Sequence, residues 1–229
     1  MALDWTVVLP VKPFHQAKSR LAPWLGTSRQ DFARAFFQDT LEAVLRTAGV
    51  AQVLVVTHDR EAAAQANSRG ATAVSDHPSR GLNAAIRIAA SHAETLAANR
   101  PIAVLTADLP ALRSTELDDV LVSASAHDRT FLADHNREGT TLLAASRPRW
   151  LNPAFERGSR SRHRRGGAFE ITDLEAVSVR LDVDTPDDLR LAHRLGVGPH
   201  THAVIESAVP PLALSRQHAA DWNTNHELH

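Results

Sequence analysis

The sequence predicts a single α/β domain built on a mainly parallel sheet with crossover helices, on three observations. Short β-branched or aliphatic runs alternate with Ala-rich stretches of helical spacing; 229 residues with 43% hydrophobic content suffice for one sizeable core; and two of the apolar runs lead straight into charged residues suited to a ligand. Ligands of open α/β sheets sit beyond the carboxyl ends of the strands, so those two runs are where function is sought first.

The first strand is placed at Thr6 to Val11, apolar without alternation as a strand covered on both faces should be. A helix follows from Ser28 to Arg46, where Phe32, Ala35, Phe36, Thr40, Ala43 and Val44 fall near helical spacing and Ser28 suits an N-cap. Strands are then expected at Val53 to Thr57, Ala71 to Ser75 and Ile102 to Thr106, with a helix from Leu82 to Ala98 between the last two. Ser114 to Ser125 reads as a helix with Ser114 as cap and Glu116 and Asp118 in its first turn; Thr130 to Ala133 and Thr141 to Ala145 read as further strands.

Beyond Ala133 the rhythm breaks at Gly139-Thr140-Thr141, Asn152-Pro153, an Arg-rich stretch and Gly166-Gly167. This segment is expected to elaborate the sheet, with an antiparallel strand, over the carboxyl ends of the parallel strands. Val177 to Leu181 is expected to return as a strand, followed by the carboxylate-rich loop Asp182 to Asp188, where Thr185 caps a helix with Pro186 at its first position. The domain is drawn at 1–198. Residues 199–229, holding five of the 13 His and little periodicity, are expected to form a mobile or loosely docked tail.

Composition narrows the chemistry. With no Cys, disulfides, thiolate nucleophiles and Cys-ligated zinc are excluded, so a metal must be held by oxygen or imidazole. The first residues have neither the cationic start nor the apolar run of a signal peptide, and no segment approaches ~20 consecutive apolar residues, so a cytoplasmic protein is expected. A net charge of -1 gives no global field for nucleic acid or acidic membrane; an anion site has to be local.

Two local features answer that. Lys12, Lys18 and Arg20 follow the first strand with Ser19 among them, and cations with a hydroxyl suit the oxygens of a triphosphate. The loop lacks the glycines of the common phosphate-cradling motifs, and a solvated basic loop is the alternative. Asp108 ends the buried run Ile102 to Thr106, where a carboxylate suits magnesium, although it also suits a turn before Leu109-Pro110. Asp182 and Asp184 form a second carboxylate pair that either completes a metal site or organises the turn at Pro186. Arg80-Gly81-Leu82-Asn83 and, more weakly, Thr57-His58-Asp59 end or precede elements where a sugar or base could approach, Asn83 offering both a donor and an acceptor. Residues 157–165 carry five Arg, with Thr140, Thr141 and Ser159 available beside them; a small phosphorylated acid fits this set, and so does a solvated helix face. No aromatics interleave the arginines, which argues against single-stranded nucleic acid.

Taken together, Pro10-Val11-Lys12, Ala17-Lys18-Ser19-Arg20-Leu21-Ala22-Pro23, Ala107-Asp108-Leu109-Pro110, Gly139-Thr140-Thr141, Ser159 with His163-Arg164-Arg165, and Leu181-Asp182-Val183-Asp184-Thr185-Pro186 resemble the guanylyltransferases of coenzyme F-420 biosynthesis over roughly Trp5 to His200. The resemblance implies a three-layer sandwich of the nucleotide-diphospho-sugar transferase (GT-A) type. It implies transfer of GMP from GTP to phosphoenolpyruvate, 2-phospho-L-lactate or 3-phospho-D-glycerate, with Mg2+, and a product handed to the next enzyme of the pathway. The residues read above suit the nucleotide half of this reaction, with Lys12, Lys18, Ser19, Arg20 and Asn83 on the nucleotide, Lys18, Arg20 and Asp108 catalytic, and Asp108 with Asp184 or Asp182 on the metal. By position the resemblance implies Thr141, Glu156 and Ser159 on the acceptor. A glycine stands in the family where this chain has Glu156; a backbone contact survives that change, and otherwise the role passes to Gly158. Relatives acting on molybdopterin or sugar phosphates carry a glycine-rich first loop absent here, and a non-catalytic nucleotide sensor or a homodimer stays open.

Overall fold

The structure is a computed structural model describing residues 4–78 and 81–208. Strand β1 (Trp5–Pro10) is followed by a short helix α1 (Ala22–Leu25) and by α2 (Arg29–Leu45); β2 (Val50–Val56), α3 (Arg60–Ser68), β3 (Thr72–Val74), α4 (Leu82–Ala97), β4 (Ile102–Leu105) and α5 (Ser114–Ala124) continue the alternation. The second half holds β5 (Arg129–Ala133), β6 (Thr140–Ala145), α6 (Ser159–Arg165), β7 (Phe169–Glu170), α7 (Val177–Arg180), α8 (Pro186–Leu195) and α9 (Pro199–Ala208). The seven strands form one sheet in the order β3-β2-β1-β4-β6-β5-β7. Of these, β6 runs against its neighbours β4 and β5, while the other pairs are parallel.

The apolar strand runs are buried on both faces, as their lack of alternation predicts. Val7, Leu9, Val53, Val55, Ala103 and Leu105 face α2, α3 and α5, whereas Val8, Leu54, Val56, Ile102 and Val104 face α4. This is the expected three-layer sandwich. Helix α2 is apolar on two sides because it is covered twice: Phe37 and Leu41 meet the sheet, and Phe32 and Phe36 meet Leu189, Ala192 and Ile205 of α8 and α9. Each such fully buried Phe stabilises the fold by about 1.5–3 kcal/mol.

Several boundaries differ from expectation, each for a local reason. Ser28 precedes α2 but makes no capping bond, since a 3₁₀ turn over Gly26–Ser28 leads into the helix. Arg113, not Ser114, is the cap residue of α5. The run at Val177 forms α7 rather than a strand: Ser178 donates from both its amide and hydroxyl to Glu116, and the Arg180 guanidinium is consumed by the carbonyls of Ala133, Ile171, Leu174 and Glu175. The edge strand β7 was too short to signal itself.

The predicted tail begins too early. Residues Pro199–Ala208 are helical, and buried Asp39 of α2 accepts from the amides of His200 (3.0 Å) and Thr201 (2.8 Å), satisfying donors of the first turn. Gly198 is required at that junction, because a Cβ there would lie 2.4 Å from Asp39 Oδ1. Residues 209–229 lie outside the described residues. No described helix is long and apolar enough to cross a membrane.

Candidate active site

The loop after β1 is held rigidly. Phe14 is buried against Phe37, its amide donates to Asp59 Oδ2 (3.0 Å), and the Arg29 guanidinium donates to the carbonyls of His15 and Ala17. Between these anchors Lys18 takes a left-handed conformation (φ 54°, ψ 40°), which for a residue with a Cβ costs about 1–2 kcal/mol. That conformation sends its side chain, 8% exposed, to the carboxylate of Asp108 and, at 3.0 Å, to Asp184 Oδ1. A solvated basic loop does not describe this arrangement.

Both carboxylates are delivered by the sheet. Asp108 follows β4, in a turn fixed by Leu109 N–H donating to Thr40 of α2 (3.0 Å). The Val183 amide donates to the Asp108 carbonyl (3.1 Å), laying the 181–184 segment alongside. Thr185 and Asp188 then form a capping box for α8, and Asp188 Oδ2 also accepts from the Asp184 amide (3.1 Å). The organising role weighed for Asp184 thus falls to Thr185 and Asp188, which leaves the Asp184 side chain free to meet Lys18 and, at 3.6 Å, Arg20.

The crowding shifts ionisation. Burial pulls the Lys18 ammonium down, but Asp108 and Asp184 outweigh it and hold it above the ordinary lysine range. Burial raises Asp184, yet Lys18, Arg20 and Lys12 bring it below the usual carboxylate value. Asp182 is pushed up to about 6, first by burial and then by the charges of Asp108 and Asp184, against the opposing pull of His135. His135 is raised, chiefly by Asp182; at 3.7 Å that influence is charge rather than a hydrogen bond, whereas its Nε2 lies 3.0 Å from Asp188 Oδ1.

Lys12, Lys18, Arg20, Asp108, Asp182 and Asp184 line one cavity of about 800 Å³ together with Thr140, Glu156, Arg157, Gly158 and Ser159 of the β6–α6 region. Gly139 turns β5 into β6 there, close against Asp134, whose carboxylate accepts from the amides of Glu138 and Gly139; a Cβ on Gly139 would come within 2.5 Å of it. Glu156 has φ 100°, a value natural only to glycine, so the departure noted at this position carries strain. Ser159, 2% exposed, starts α6.

Three expected contacts lie elsewhere. Ser19 is exposed and off the cavity wall. The Asn83 amide is committed at both ends to Phe155, donating to its carbonyl (3.2 Å) and accepting from its N–H (2.8 Å), so it fixes the loop before α6 to α4. Thr141 is wholly buried in β6, and Thr140 takes the wall. Of the Arg cluster only Arg157 reaches the cavity: Arg160 and Arg164 pair with Glu170, Arg162 donates to the Arg157 carbonyl, and Arg165 donates to the Ser161 carbonyl. Arg80 lies outside the described residues.

Buried His163 supports the wall at Thr140. The Ala154 N–H donates to its Nε2 (3.0 Å), so that nitrogen carries no proton, and Nδ1–H donates to Thr140 Oγ1 (2.9 Å). Thr106 and Thr140 on the wall, with Asp134 and Glu138, complete the charged and hydroxyl lining. Thr106, Asp134 and Glu138 give no signal in the sequence beyond lying at strand ends.

A family model described as guanylyl transferase CofC like matches residues 5–208, the span from the first residue of β1 to the last of α9. The chain belongs to that family. Among CofC-like relatives, the phosphoenolpyruvate guanylyltransferase of Streptomyces scabiei is 50% identical over 215 residues, 91% of this chain and 99% of that protein. The CofC-like fold is shared with a putative nucleotide-diphospho-sugar transferase from Desulfovibrio desulfuricans (TM-score 0.67, 15% identity, 90% of this chain and 95% of that one). It is also shared with a Mycobacterium tuberculosis protein solved in complex with manganese (TM-score 0.51, 21% identity, 84% and 98%).

Proposed function

We propose that this chain transfers GMP from GTP to the phosphate of phosphoenolpyruvate, releasing diphosphate, as a step of coenzyme F-420 biosynthesis. The observation that supports this best is the Lys18 ammonium gripped by Asp108 and Asp184 at the strand ends, across one cavity from Ser159 and Thr140. Relatives named for phosphoenolpyruvate support the choice of acceptor.

The chemistry asks little of the protein beyond position and charge. An oxygen of the acceptor phosphate, already anionic at neutral pH, attacks the α-phosphorus in line; the bond from that phosphorus to the α,β-bridging oxygen breaks, and diphosphate leaves with that oxygen and its electron pair. No side chain has to remove a proton. Lys12, Lys18 and Arg20 neutralise the triphosphate, Ser159, Thr140 and Arg157 hold the acceptor, and His163 keeps Thr140 oriented.

The carboxylates suit a divalent cation, although no three His, Asp or Glu side chains are gathered around one point among the described residues. Asp108 and Asp184 already converge on one ammonium, and Asp108 Oδ1 is buried with no partner. Magnesium needs only one or two carboxylates when phosphate oxygens and water complete its shell, so Asp108 and Asp184 would hold it, with Asp182 behind them. When bound it supplies charge neutralisation on the transferring phosphate.

The test is incubation with GTP or ATP, magnesium and each of phosphoenolpyruvate, 2-phospho-L-lactate and 3-phospho-D-glycerate, following diphosphate and trapping the product. Diphosphate release with GTP and phosphoenolpyruvate is expected, and its loss in Asp108→Asn with the fold intact. Release independent of all three acids refutes the reading.

A further inference from the structure

Next to the main cavity, past Lys12, lies a smaller recess of about 120 Å³ at the carboxyl ends of β2 and β3. It shares Pro10, Val11, Lys12 and Leu82 with the main cavity, so a group tethered to a triphosphate on Lys12 can enter it. Its walls are apolar, formed by Val11, Val56, Leu82 and Ala85. Set in these walls is one carboxylate, that of Asp76, whose residue is only 7% exposed; His58 Nδ1 lies 2.9 Å from its Oδ1 and fixes its direction. Phosphate chemistry has no use for this pair, which stands on the opposite side of β1 from Asp108 and Asp184.

We propose that Asp76, oriented by His58, reads the guanine base of the nucleotide. The inference rests on the guanylyl-transfer reading and identifies what selects its donor. Apolar walls with one nearly buried carboxylate suit a planar base whose edge presents donors. Guanine offers two adjacent donors, N1–H and the 2-amino group, which a carboxylate accepts together. Adenine turns the N1 lone pair toward the same oxygens, and a buried acceptor facing an acceptor is left unpaired, which is the strongest form of rejection open to a binding site. Gln16, at the rim, completes the polar part of the recess. The base then lies on the β2–β3 side and the acceptor on the β6–α6 side, with the α-phosphorus between them beside Lys18.

Two measurements decide it. In the unaltered protein, GTP is compared with ITP, which keeps N1–H and lacks the 2-amino group, and with ATP, by calorimetry and by kcat/KM. ITP is expected to be about 10- to 100-fold weaker than GTP, as loss of one hydrogen bond to a charged acceptor predicts, and ATP weaker still. In Asp76→Asn, kcat/KM for GTP should fall at least about 100-fold, the GTP-over-ITP preference should vanish, and KM for phosphoenolpyruvate should stay unchanged. His58→Gln, which frees the carboxylate without removing it, should lower the preference about tenfold and serves if Asp76→Asn does not fold. If the protein prefers GTP and the folded Asp76→Asn keeps that preference, the assignment of Asp76 is overturned while guanylyl transfer stands. Equal use of GTP and ITP by the unaltered protein overturns the assignment too, and preference for ATP overturns both.

Discussion

Lowering the pH from 7 to 4.5 should cost this fold about 2.4 kcal/mol through His163 alone. The ring is 2% exposed, and its Nε2 already accepts from the Ala154 N–H, so a second proton there would meet a donor. Burial first, then the charges of Arg162 and Arg129, push His163 down to about 4 from the ordinary 6.5. As pH falls, the unfolded chain takes up its proton near 6.5 and the folded chain only near 4; stability is therefore full above the first value and is lost toward the second. Two and a half pH units at about 1.36 kcal/mol each give a limit of about 3.4 kcal/mol, of which about 2.4 kcal/mol has gone by pH 4.5. Urea unfolding across this range, for the unaltered protein and for His163→Gln, isolates the effect, since Gln can donate to Thr140 and accept from Ala154 without titrating. With a slope of about 2 kcal/mol per molar urea, the midpoint should fall about 1.2 M further in the unaltered protein than in the variant. Parallel losses in the two proteins, or a His163 titration observed near 6.5 by NMR, refute the argument.

Lys18→Met leaves Asp108 and Asp184 facing each other without an ammonium. Because Asp184 is half-exposed, the cost should be about 1–2 kcal/mol rather than the 3–5 kcal/mol of a fully buried pair; magnesium should restore most of it, and equal stability of variant and parent in chelator counts against the pairing. Ser159→Ala should raise KM for the acceptor several-fold more than KM for GTP, the reverse pattern moving Ser159 out of the acceptor end. Glu156→Gly should stabilise the fold by about 1 kcal/mol, seen as a rise of about 2–4 °C in Tm, because glycine adopts φ 100° without strain; an unchanged or lower Tm removes the strain argument.

What was legible in the sequence follows a physical divide. Buried parallel strands carry continuous apolar runs, so β1, β2 and β4, and with them the positions of Lys12, Lys18 and Asp108, could be placed from composition and order alone. The helix start at Thr185 and Pro186 was readable because its residue types are dictated by helix-end geometry. Features decided by tertiary partners were not. Val177 to Arg180 looks like a strand until Glu116 claims Ser178 and four carbonyls claim Arg180. The Arg cluster looks like one anion site, yet Glu170, 10 and 6 residues further on, takes Arg160 and Arg164 and leaves Arg157 alone at the cavity. Asn83 has the chemistry to read a ligand, and only its distance in space to Phe155 shows that it reads the backbone. The helix at 199–208 was missed because its anchor, Asp39, lies some 160 residues away.

The charge of the cavity explains why Lys18 stands where it does. Among the described lining residues, Lys12, Lys18, Arg20 and Arg157 face six carboxylates, those of Asp108, Asp134, Glu138, Glu156, Asp182 and Asp184. A wall with more negative than positive groups must nevertheless admit a triphosphate and an acceptor phosphate, each ending in a group of nearly two negative charges. At about 4 kcal/mol for unit charges 4 Å apart near a protein surface, such an encounter is prohibitive unless cations arrive with the substrates. Lys18 holds Asp108 and Asp184 together by partly neutralising both, and in doing so it competes with any free cation for those oxygens. A divalent cation bound together with the nucleotide would resolve both conflicts: Asp108 and Asp184 would hold it, and Lys18 would be left to neutralise the phosphates. The enzyme should therefore bind neither metal-free GTP nor free metal well, and the two together strongly.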